Sequence, residues 1–461
     1  MAHVRLRAAF RPNTSLLFGH EATVSLPHRA SSSNRNSATN PKTAIALQAP
    51  SDRLFRRDAG RMVAALTRLF GLHNLALAED VVQDAFCRAL EVWKLRGIPE
   101  NPSGWLMTTA KNRALDLLRR ERTARTYAPD LGRLLQTEWT LAPAVDAIFD
   151  PVGIADDELR MIFSCCRREL PEVAQVMLVL ALAGGFGPRE IARAFMSTDA
   201  AVQKRLTRAK QRLADSGALF DIADRADFAA RLPAVQRALY LIFSEGYHGS
   251  SAQVVRAELC REAIRLVRLL AAHPLGATPA THALCALMYL DGARLPARLD
   301  ASGHLNSLWE QDRSRWDATM IAEGKAWLER SATGSAISRF HVEAAIAAAH
   351  ARAPAFEATD WDEIVSLYDT LMTIAPSPVV ALNRAIGLAQ RSGPRRGLEA
   401  IEAIAMRERL EEYPFYHAAR GELELRCSNA ATARRHFEAA LALARNKEER
   451  RFLEKRVAAC I

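Results

Sequence analysis

Basic and amide side chains crowd one short stretch of the chain. The stretch contains no acidic residue between Ala200 and Ala214. Ammonium and guanidinium groups bind phosphate, and glutamine or lysine can pair with base edges in the major groove. The pattern therefore favours recognition of double-stranded DNA, with a solvated helix face on a basic protein as the alternative. The side chains concerned are Gln203, Lys204, Arg205, Arg208, Lys210 and Arg212.

Two short helices with a tight break between them are predicted to position these side chains. Pro188 suits the first turn of the first helix, where its missing N–H is not needed. Thr198 is suited to cap the second helix. That helix is about 24 Å long for about 16 residues, which fits a major groove. The arrangement predicts a helix-turn-helix whose second helix turns these apolar residues inward: Val202, Leu206, Ala209 and Leu213.

A second stretch, Ala78 to Trp93, combines an apolar stripe with an acidic outer face. The stripe follows helical spacing and is predicted to include Leu90 and Trp93. The outer face is either solvated or docks on a helix of a partner protein. It carries Glu79, Asp80, Gln83, Asp84 and Arg88.

The segment from Asn101 to Arg125 places an aromatic residue, small hydroxyls, an asparagine and clustered cations on one predicted helix. Such a surface suits single-stranded DNA, because bases stack on aromatic rings while cations follow the phosphates. Trp105 could equally be a core residue.

Length and composition limit the classes of protein that remain. The 461 residues predict two or three domains, and a net charge of +10 favours polyanionic partners. Seven scattered cysteines without a C-x-x-C pair indicate a reducing compartment, with neither a disulfide framework nor a zinc site. The longest apolar run, Val176 to Gly187, is shorter than the ~20 residues that a membrane span needs.

No enzymatic site is predicted. Histidines such as His304, His341 and His350 stand alone, without the spacing of metal ligands, and no glycine-rich loop carries the Lys-Ser/Thr of a phosphate-binding loop. We therefore expect no catalytic residue, no metal site and no cofactor.

Two segments lack helical periodicity. Residues 1–50 hold six Arg or Lys, one acid and a Ser/Asn/Thr-rich tract, which predicts a disordered basic tail; an organelle transit peptide has the same composition. Residues 126–157, interrupted by Pro129, Pro143 and Pro151, are interpreted as a linker.

The last part of the chain is helical and weakly repetitive. Beyond Asp360, apolar pairs recur at about 34 residues, the period of tetratricopeptide repeats, which stack into a solenoid with a concave surface. Gly421 and Ala433 also hold tetratricopeptide spacing. The recurring pairs are Tyr368/Leu371, Ile401/Ile404 and Phe437/Ala440.

The order of these pieces resembles the sigma-70 family of transcription factors, in its extracytoplasmic-function group. The acidic-faced helix, the segment after it, a linker and a helix-turn-helix follow one another as in that group. LYLIFSEGY, DGARLPAR and QDRSRWD resemble a branch with a C-terminal tetratricopeptide-like extension. Within the second segment the resemblance rests on Pro102, Trp105, Leu106, Ala110, Asn112, Ala114, Asp116, Arg119 and Arg120.

The resemblance implies an all-α fold of two small helical sigma domains and a helical extension. Region 2, for core polymerase binding and minus-ten recognition, would occupy 51–125, and region 4, with the helix-turn-helix, 158–215. The linker at 126–157 would join them. Residues 216–358 would be a helical extension and 359–461 the tetratricopeptide-like repeats.

The resemblance also implies roles and partners. Core RNA polymerase would be bound through its beta-prime clamp helices and beta flap, and promoter DNA by both regions. A protein partner could occupy the solenoid, and the site of action would be the bacterial cytoplasm, at the nucleoid within holoenzyme. Docking would use Asp80, Gln83, Asp84 and Arg88. Minus-ten DNA would meet Trp105, Lys111, Asn112, Arg113, Asp116, Arg119 and Arg120. Minus-thirty-five DNA would meet Asp199, Ala200, Gln203 and Lys204 at base edges, and Arg205, Arg208 and Lys210 at phosphates.

Two other classes remain open at this point. One is a helix-turn-helix regulator with a sensing solenoid that does not act as a sigma subunit; it has no need of the segment 78–120. The other is a scaffold protein whose basic helices are incidental.

Overall fold

The computed structural model describes residues 48–120, 151–167, 169–194, 197–216, 225–248, 255–300, 304–444 and 446–460. The predicted tail at 1–50 therefore lies almost wholly outside these ranges, as does the predicted linker up to residue 150. Every regular element within them is a helix, and their only β pairing is one isolated bridge between Leu299 and Leu305. The described helices include none long and apolar enough to cross a membrane.

The chain divides into two compact units, the first holding residues 20–191 and 199–231 and the second residues 232–461 with 192–198. The helices of the first unit begin with α1 (Gln48–Phe70), α2 (Leu75–Arg96) and α3 (Pro102–Arg120). They continue with α4 (Pro151–Cys165), α5 (Glu172–Leu178), the π-helical turn Val179–Ala183, α6 (Pro188–Ala194) and α7 (Asp199–Asp215). Helix α8 (Arg225–His248) begins in the first unit and runs into the second.

Glycine ends the first two helices of this unit. Gly71 has a φ of 84° and its amide bonds back to Thr67, so α1 stops at Phe70. Gly97 has a φ of 80° and bonds to Trp93 in the same way at the end of α2. Only glycine adopts this backbone without strain. The stop at Gly71 allows the bend between α1 and α2, and the stop at Gly97 allows the bend between α2 and α3.

Helix α4 packs on α1. It begins at Pro151, inside the segment predicted as linker, because proline at the first helical position starts a helix as readily as it breaks one. Asp157 is buried and lies 3.1 Å from Arg68 Nη1 on α1. Gly60 lets α1 approach the π-helical turn so closely that an added Cβ would overlap the carbonyl oxygen of Ala183.

The first unit extends beyond the predicted boundary at residue 215. Phe228 on α8 is 1% exposed, and its ring centroid lies 4.2 Å from that of Phe163 on α4. The first turns of α8 thus complete the core of this unit.

The second unit is built around a buried helix. Its first helices after α8 are α9 (Ala257–Ala272), α10 (Pro279–Gly292), α11 (Ala318–Ser331) and α12 (Arg339–Arg352). Thr278 caps α10 and Pro279 opens it, and nearly every residue of α10 is buried among α9, α11 and α12.

Helical hairpins follow α12 in a row. They are formed by α13 (Trp361–Ile374), α14 (Pro378–Ser392), α15 (Pro394–Glu402), α16 (Pro414–Arg426), α17 (Ala430–Ala442) and α18 (Lys447–Ala458). Each apolar cluster is shared between neighbours, as where Ala385, Ile401 and Tyr416 meet. The six recurring positions at 368, 371, 401, 404, 437 and 440 are all buried, and Gly421 lies against the ring of Phe437. Assignment to the tetratricopeptide class stays a prediction.

Burial suppresses the thiolate form of most cysteines. Desolvation raises the pKa of Cys165, and it raises the pKa of Cys166 and of Cys285 to about 12. Cys87 on α2, in contrast, is exposed.

Candidate nucleic-acid interface

An open cleft of about 1490 Å³ lies between α2 and α3 in the first unit. Its lining combines residues of the predicted docking face with residues of the predicted minus-ten helix. Asp84 and Arg88 come from the predicted docking face, and four others come from the predicted minus-ten helix. The four are Trp105, Asn112, Arg113 and Asp116.

One ion pair joins the two faces of this cleft. Arg113 Nε donates to Asp84 Oδ2 at 3.1 Å, and their side chains are 39% and 58% exposed. Pairs this exposed contribute about 0–1 kcal/mol to stability, so the contact positions the two groups more than it holds the fold. An anion that binds Arg113 could therefore displace Asp84 at little loss of folding free energy.

Trp105 forms part of the cleft wall and is half-buried. Its ring packs edge to face on Trp93, with the centroids 5.5 Å apart. Asn101 caps the start of α3 by accepting from the Gly104 amide at 2.9 Å, and Thr109 Oγ1 donates to the Trp105 carbonyl. Trp105 thus both packs and borders the cleft, so the core and the nucleic-acid interpretations are compatible.

The outer face of α2 is exposed at all four predicted docking residues, Asp80, Gln83, Asp84 and Arg88. The predicted apolar stripe is wrong at Leu90, which is 64% exposed, because residue 90 lies about 100° around the helix from buried Ala89. Leu95 and Ile98 are 86% and 55% exposed. A helical wheel drawn from Val81, Val82 and Ala85 places Leu90 on the outer face, whereas the exposure of Leu95 and Ile98 is not among the predictions from sequence.

Helix α7 has the two faces that its sequence predicts. Val202, Leu206, Ala209 and Leu213 are each at most 4% exposed. Along the opposite face Asp199, Ala200, Gln203, Lys204, Arg205 and Arg208 are exposed. Lys210 lies between the faces, half-buried, and its Nζ donates to Glu79 Oε1 of α2 at 2.5 Å.

Several predicted site residues have no described side chain or lie outside the described residues. Arg119 and Arg120 are in the last turn of α3, without described side chains, and residues 195 and 196, between α6 and α7, lie outside the described residues. The helix-turn-helix as a whole therefore stays a prediction. Lys111 is half-buried and Asn112 is exposed on α3.

Comparison with known proteins adds two family matches. Residues 54–124, which span most of α1 to α3, match Sigma-70 region 2. Residues 231–332 match a family of unknown function, DUF6596. No solved structure matches the chain significantly.

Relatives match over very different lengths. The uncharacterized protein R00370 of Rhizobium meliloti (strain 1021) is 40% identical over 394 residues, which are 85% of this chain and 91% of that protein. The ECF RNA polymerase sigma factors SigK of Mycobacterium sp. strains KMS and JLS are each 25% identical over 157 residues, 33% of this chain and 75% of each relative.

Proposed function

Since this chain belongs to the extracytoplasmic-function group of the sigma-70 family and carries a C-terminal extension, we propose that it binds core RNA polymerase and directs promoter-specific transcription initiation. Members of this family are not enzymes, and neither is this chain. The observation that carries the proposal is the coincidence of the Sigma-70 region 2 match with the α2–α3 cleft.

Polymerase docking is proposed for the outer face of α2. Its exposed acids and amide at Asp80, Gln83 and Asp84 suit a basic partner helix, and the exposed Leu90 supplies apolar area beside them. An exposed apolar side chain next to charges is typical of a protein–protein interface. The partner segment would be the beta-prime clamp helices, with the beta flap contacted by region 4.

Minus-ten recognition is proposed for the α3 side of the cleft. Trp105 offers a ring for stacking, Asn112 an exposed amide for base edges, and Arg113 a cation for the backbone. Lys111, Asp116, Arg119 and Arg120 continue the same helix.

Minus-thirty-five recognition is proposed for the exposed face of α7. Asp199, Ala200, Gln203 and Lys204 would meet base edges, while Arg205, Arg208 and Lys210 would hold phosphates. The proposal is supported by the burial of the apolar side of α7 in the core of the first unit, which leaves the basic side exposed to a partner.

The extension is proposed to regulate initiation through a protein partner on its stacked hairpins. We place the protein in the bacterial cytoplasm, associated with the nucleoid within holoenzyme. Removal of the extension should then change transcription.

Run-off transcription with purified core polymerase and fragments of the parent genome tests the central proposal. We expect transcripts that core enzyme alone does not make, and their loss in the double variant Asp80→Lys, Asp84→Lys, whose charge opposes the proposed docking. Glu100→Lys, an exposed acid outside the docking set, is the matched control. Absence of specific transcripts from every fragment, with the chain shown to be folded, would favour a regulator that is not a sigma subunit.

A further inference from the structure

A cavity of about 320 Å³ lies inside the second unit, among the hairpins that follow α12. Three helices contribute lining residues at a regular spacing: Ile386 from α14, Ala418 from α16 and Phe452 from α18. Ala418 follows Ile386 by 32 residues, and Phe452 follows Ala418 by 34. The lining is mainly aromatic and aliphatic, with Trp361, Tyr368 and Phe415 among it. The volume is within the range of small-molecule sites, which are about 300–1,000 Å³.

The segment 304–311 forms one wall of this cavity and is fixed at both ends. Leu305 bridges to Leu299, and the Asn306 amide donates to the Arg298 carbonyl at 2.9 Å. At its other end Glu310 lies 3.5 Å from Lys455 Nζ of α18. The cavity is thus a built feature of the fold, with a defined wall.

Four polar side chains meet at one end of the cavity, and each has an atom without a hydrogen-bond partner among the described residues. The atoms are Arg294 Nε, Arg298 Nε, Gln311 Oε1 and His350 Nδ1. Their side chains belong to residues between 3% and 8% exposed. Leaving a buried polar group unpaired is unfavourable, and more so for a charged group, so this end of the cavity favours a polar ligand.

The charge at this end is positive. Arg294 forms an ion pair with Asp291 Oδ1 at 3.2 Å. Burial raises the pKa of Asp291 to about 6, and the charges of Arg294 and Arg298 both act to lower it, so the two arginines share this one carboxylate. Arg313 adds a further cation, and its guanidinium donates to neutral oxygens of the described chain, among them the His350 and Ala353 carbonyls. The pKa of His350 is lowered by burial and by Arg294 and Arg313, so its ring is neutral at pH 7.

The packing of Arg298 offsets only part of the free energy of burying its charge. Its guanidinium carbon lies 4.3 Å from the ring centroid of Tyr247, a cation–π contact that stabilises the charge more when it is desolvated than when it is exposed. The effective penalty for burying an ion is several kcal/mol, so a negative charge beside Arg298 would be stabilising. A carboxylate fits best, because it carries one charge and matches a guanidinium edge with two parallel hydrogen bonds.

We propose that this cavity binds a small carboxylic acid with an apolar body, whose carboxylate pairs with Arg298 and whose body lies among Trp361, Tyr368, Phe415 and Phe452. Gln311 and His350 then remain for one neutral polar group of the ligand. This assignment does not depend on the proposed role in transcription, because it concerns binding to the second unit alone.

Isothermal titration calorimetry on the full chain tests the proposal with a matched panel. The probes are 4-phenylbutyrate, indole-3-acetate and decanoate, each beside its primary amide, with acetate as an acid that lacks an apolar body. We expect at least one of the three acids to bind, its amide to bind at least about tenfold more weakly, and acetate not to bind.

Two variants and one control locate the binding. Arg298→Gln should lower the affinity for the acid at least about tenfold and leave the affinity for the amide unchanged. Ala418→Leu should obstruct the cavity for acid and amide alike, which keeps the test valid if Arg298→Gln does not fold. Arg396→Gln, an exposed arginine on α15, should change nothing. Failure of all three acids to bind, equal binding of acid and amide, or unchanged binding to Ala418→Leu would overturn the proposal.

Discussion

Lys210 Nζ of α7 lies 2.5 Å from Glu79 Oε1 of α2, so a cation predicted to hold promoter phosphate is paired with an acid beside the predicted docking face. The side chains are 27% and 32% exposed, which leaves the pair partly hydrated. Its contribution to stability is therefore about 1 kcal/mol or less. If Lys210 holds promoter phosphate as proposed, DNA and Glu79 would compete for the same ammonium group.

Glu79→Gln should strengthen binding of the free chain to a promoter duplex. Because the glutamine amide is neutral, it does not form an ion pair with Lys210, whose ammonium group is then available to a phosphate. We therefore expect about a two- to fivefold gain in affinity at low salt and a salt slope steeper by about one unit. Fluorescence anisotropy across a salt series measures both. Glu169→Gln removes the same charge from an exposed site of the first unit outside the α2–α3 cleft, and an equal gain there would show that the Lys210 contact is irrelevant.

Substitutions on the exposed face of α7 should distinguish the residues that recognise base pairs from those that bind phosphates. Gln203→Ala or Lys204→Ala should change preference at one or two base pairs by about 1–3 kcal/mol. Arg208→Ala should weaken all promoters alike and reduce the salt slope by about one unit. Promoter selection from a randomised minus-thirty-five library measures the difference. A uniform loss in all three variants would contradict this division of the face.

Phe228→Ala should destabilise the first unit by about 3–5 kcal/mol, because it leaves a cavity against Phe163. Hydrogen exchange should show faster exchange in α4. Phe437→Ala, an equally buried phenylalanine of the second unit, should instead accelerate exchange in α17. A chain stopped after Asp215 lacks Phe228, so its instability alone would not reveal a role of the extension. If Phe228→Ala leaves exchange in α4 unchanged, α8 does not complete this core.

Acidification should destabilise the second unit through His350. Its folded-state pKa lies below the unfolded value, so the stability it contributes is present above about pH 6.5 and is lost as the pH falls below that value. The slope is at most about 1.4 kcal/mol per pH unit. His350→Asn should flatten the dependence of urea unfolding on pH between 7 and about 5.5, whereas exposed His304→Asn should not. Identical slopes in both variants would exclude His350 as the titrating group.

Local pattern was sufficient for the helices and for the buried side of α7, because a 3.6-residue period fixes which residues share a face. The recurrence of apolar pairs at about 34 residues likewise identified buried positions, such as Tyr368 and Phe437. The local pattern does not separate a proline that breaks a helix from one that starts it, so the predicted linker up to residue 157 overlaps the helix that begins at Pro151.

Long-range placement could not be predicted. The sequence shows His350 as an isolated histidine and Arg298 as part of DGARLPAR, 52 positions earlier. Nothing local indicates that both line one cavity with Phe452. The same holds for Glu79 and Lys210, which meet across 131 residues.

Because the cysteines differ in burial, an alkylating reagent should modify them at different rates in the native chain. Thiolates react and thiols do not, so the raised pKa values of Cys165, Cys166 and Cys285 keep these positions inert, and their burial excludes the reagent as well. Exposed Cys87 should take a maleimide fluorophore first, without any engineering of the chain. Because Cys87 borders the α2–α3 cleft, its modification rate becomes a direct reporter of whether a partner covers that surface.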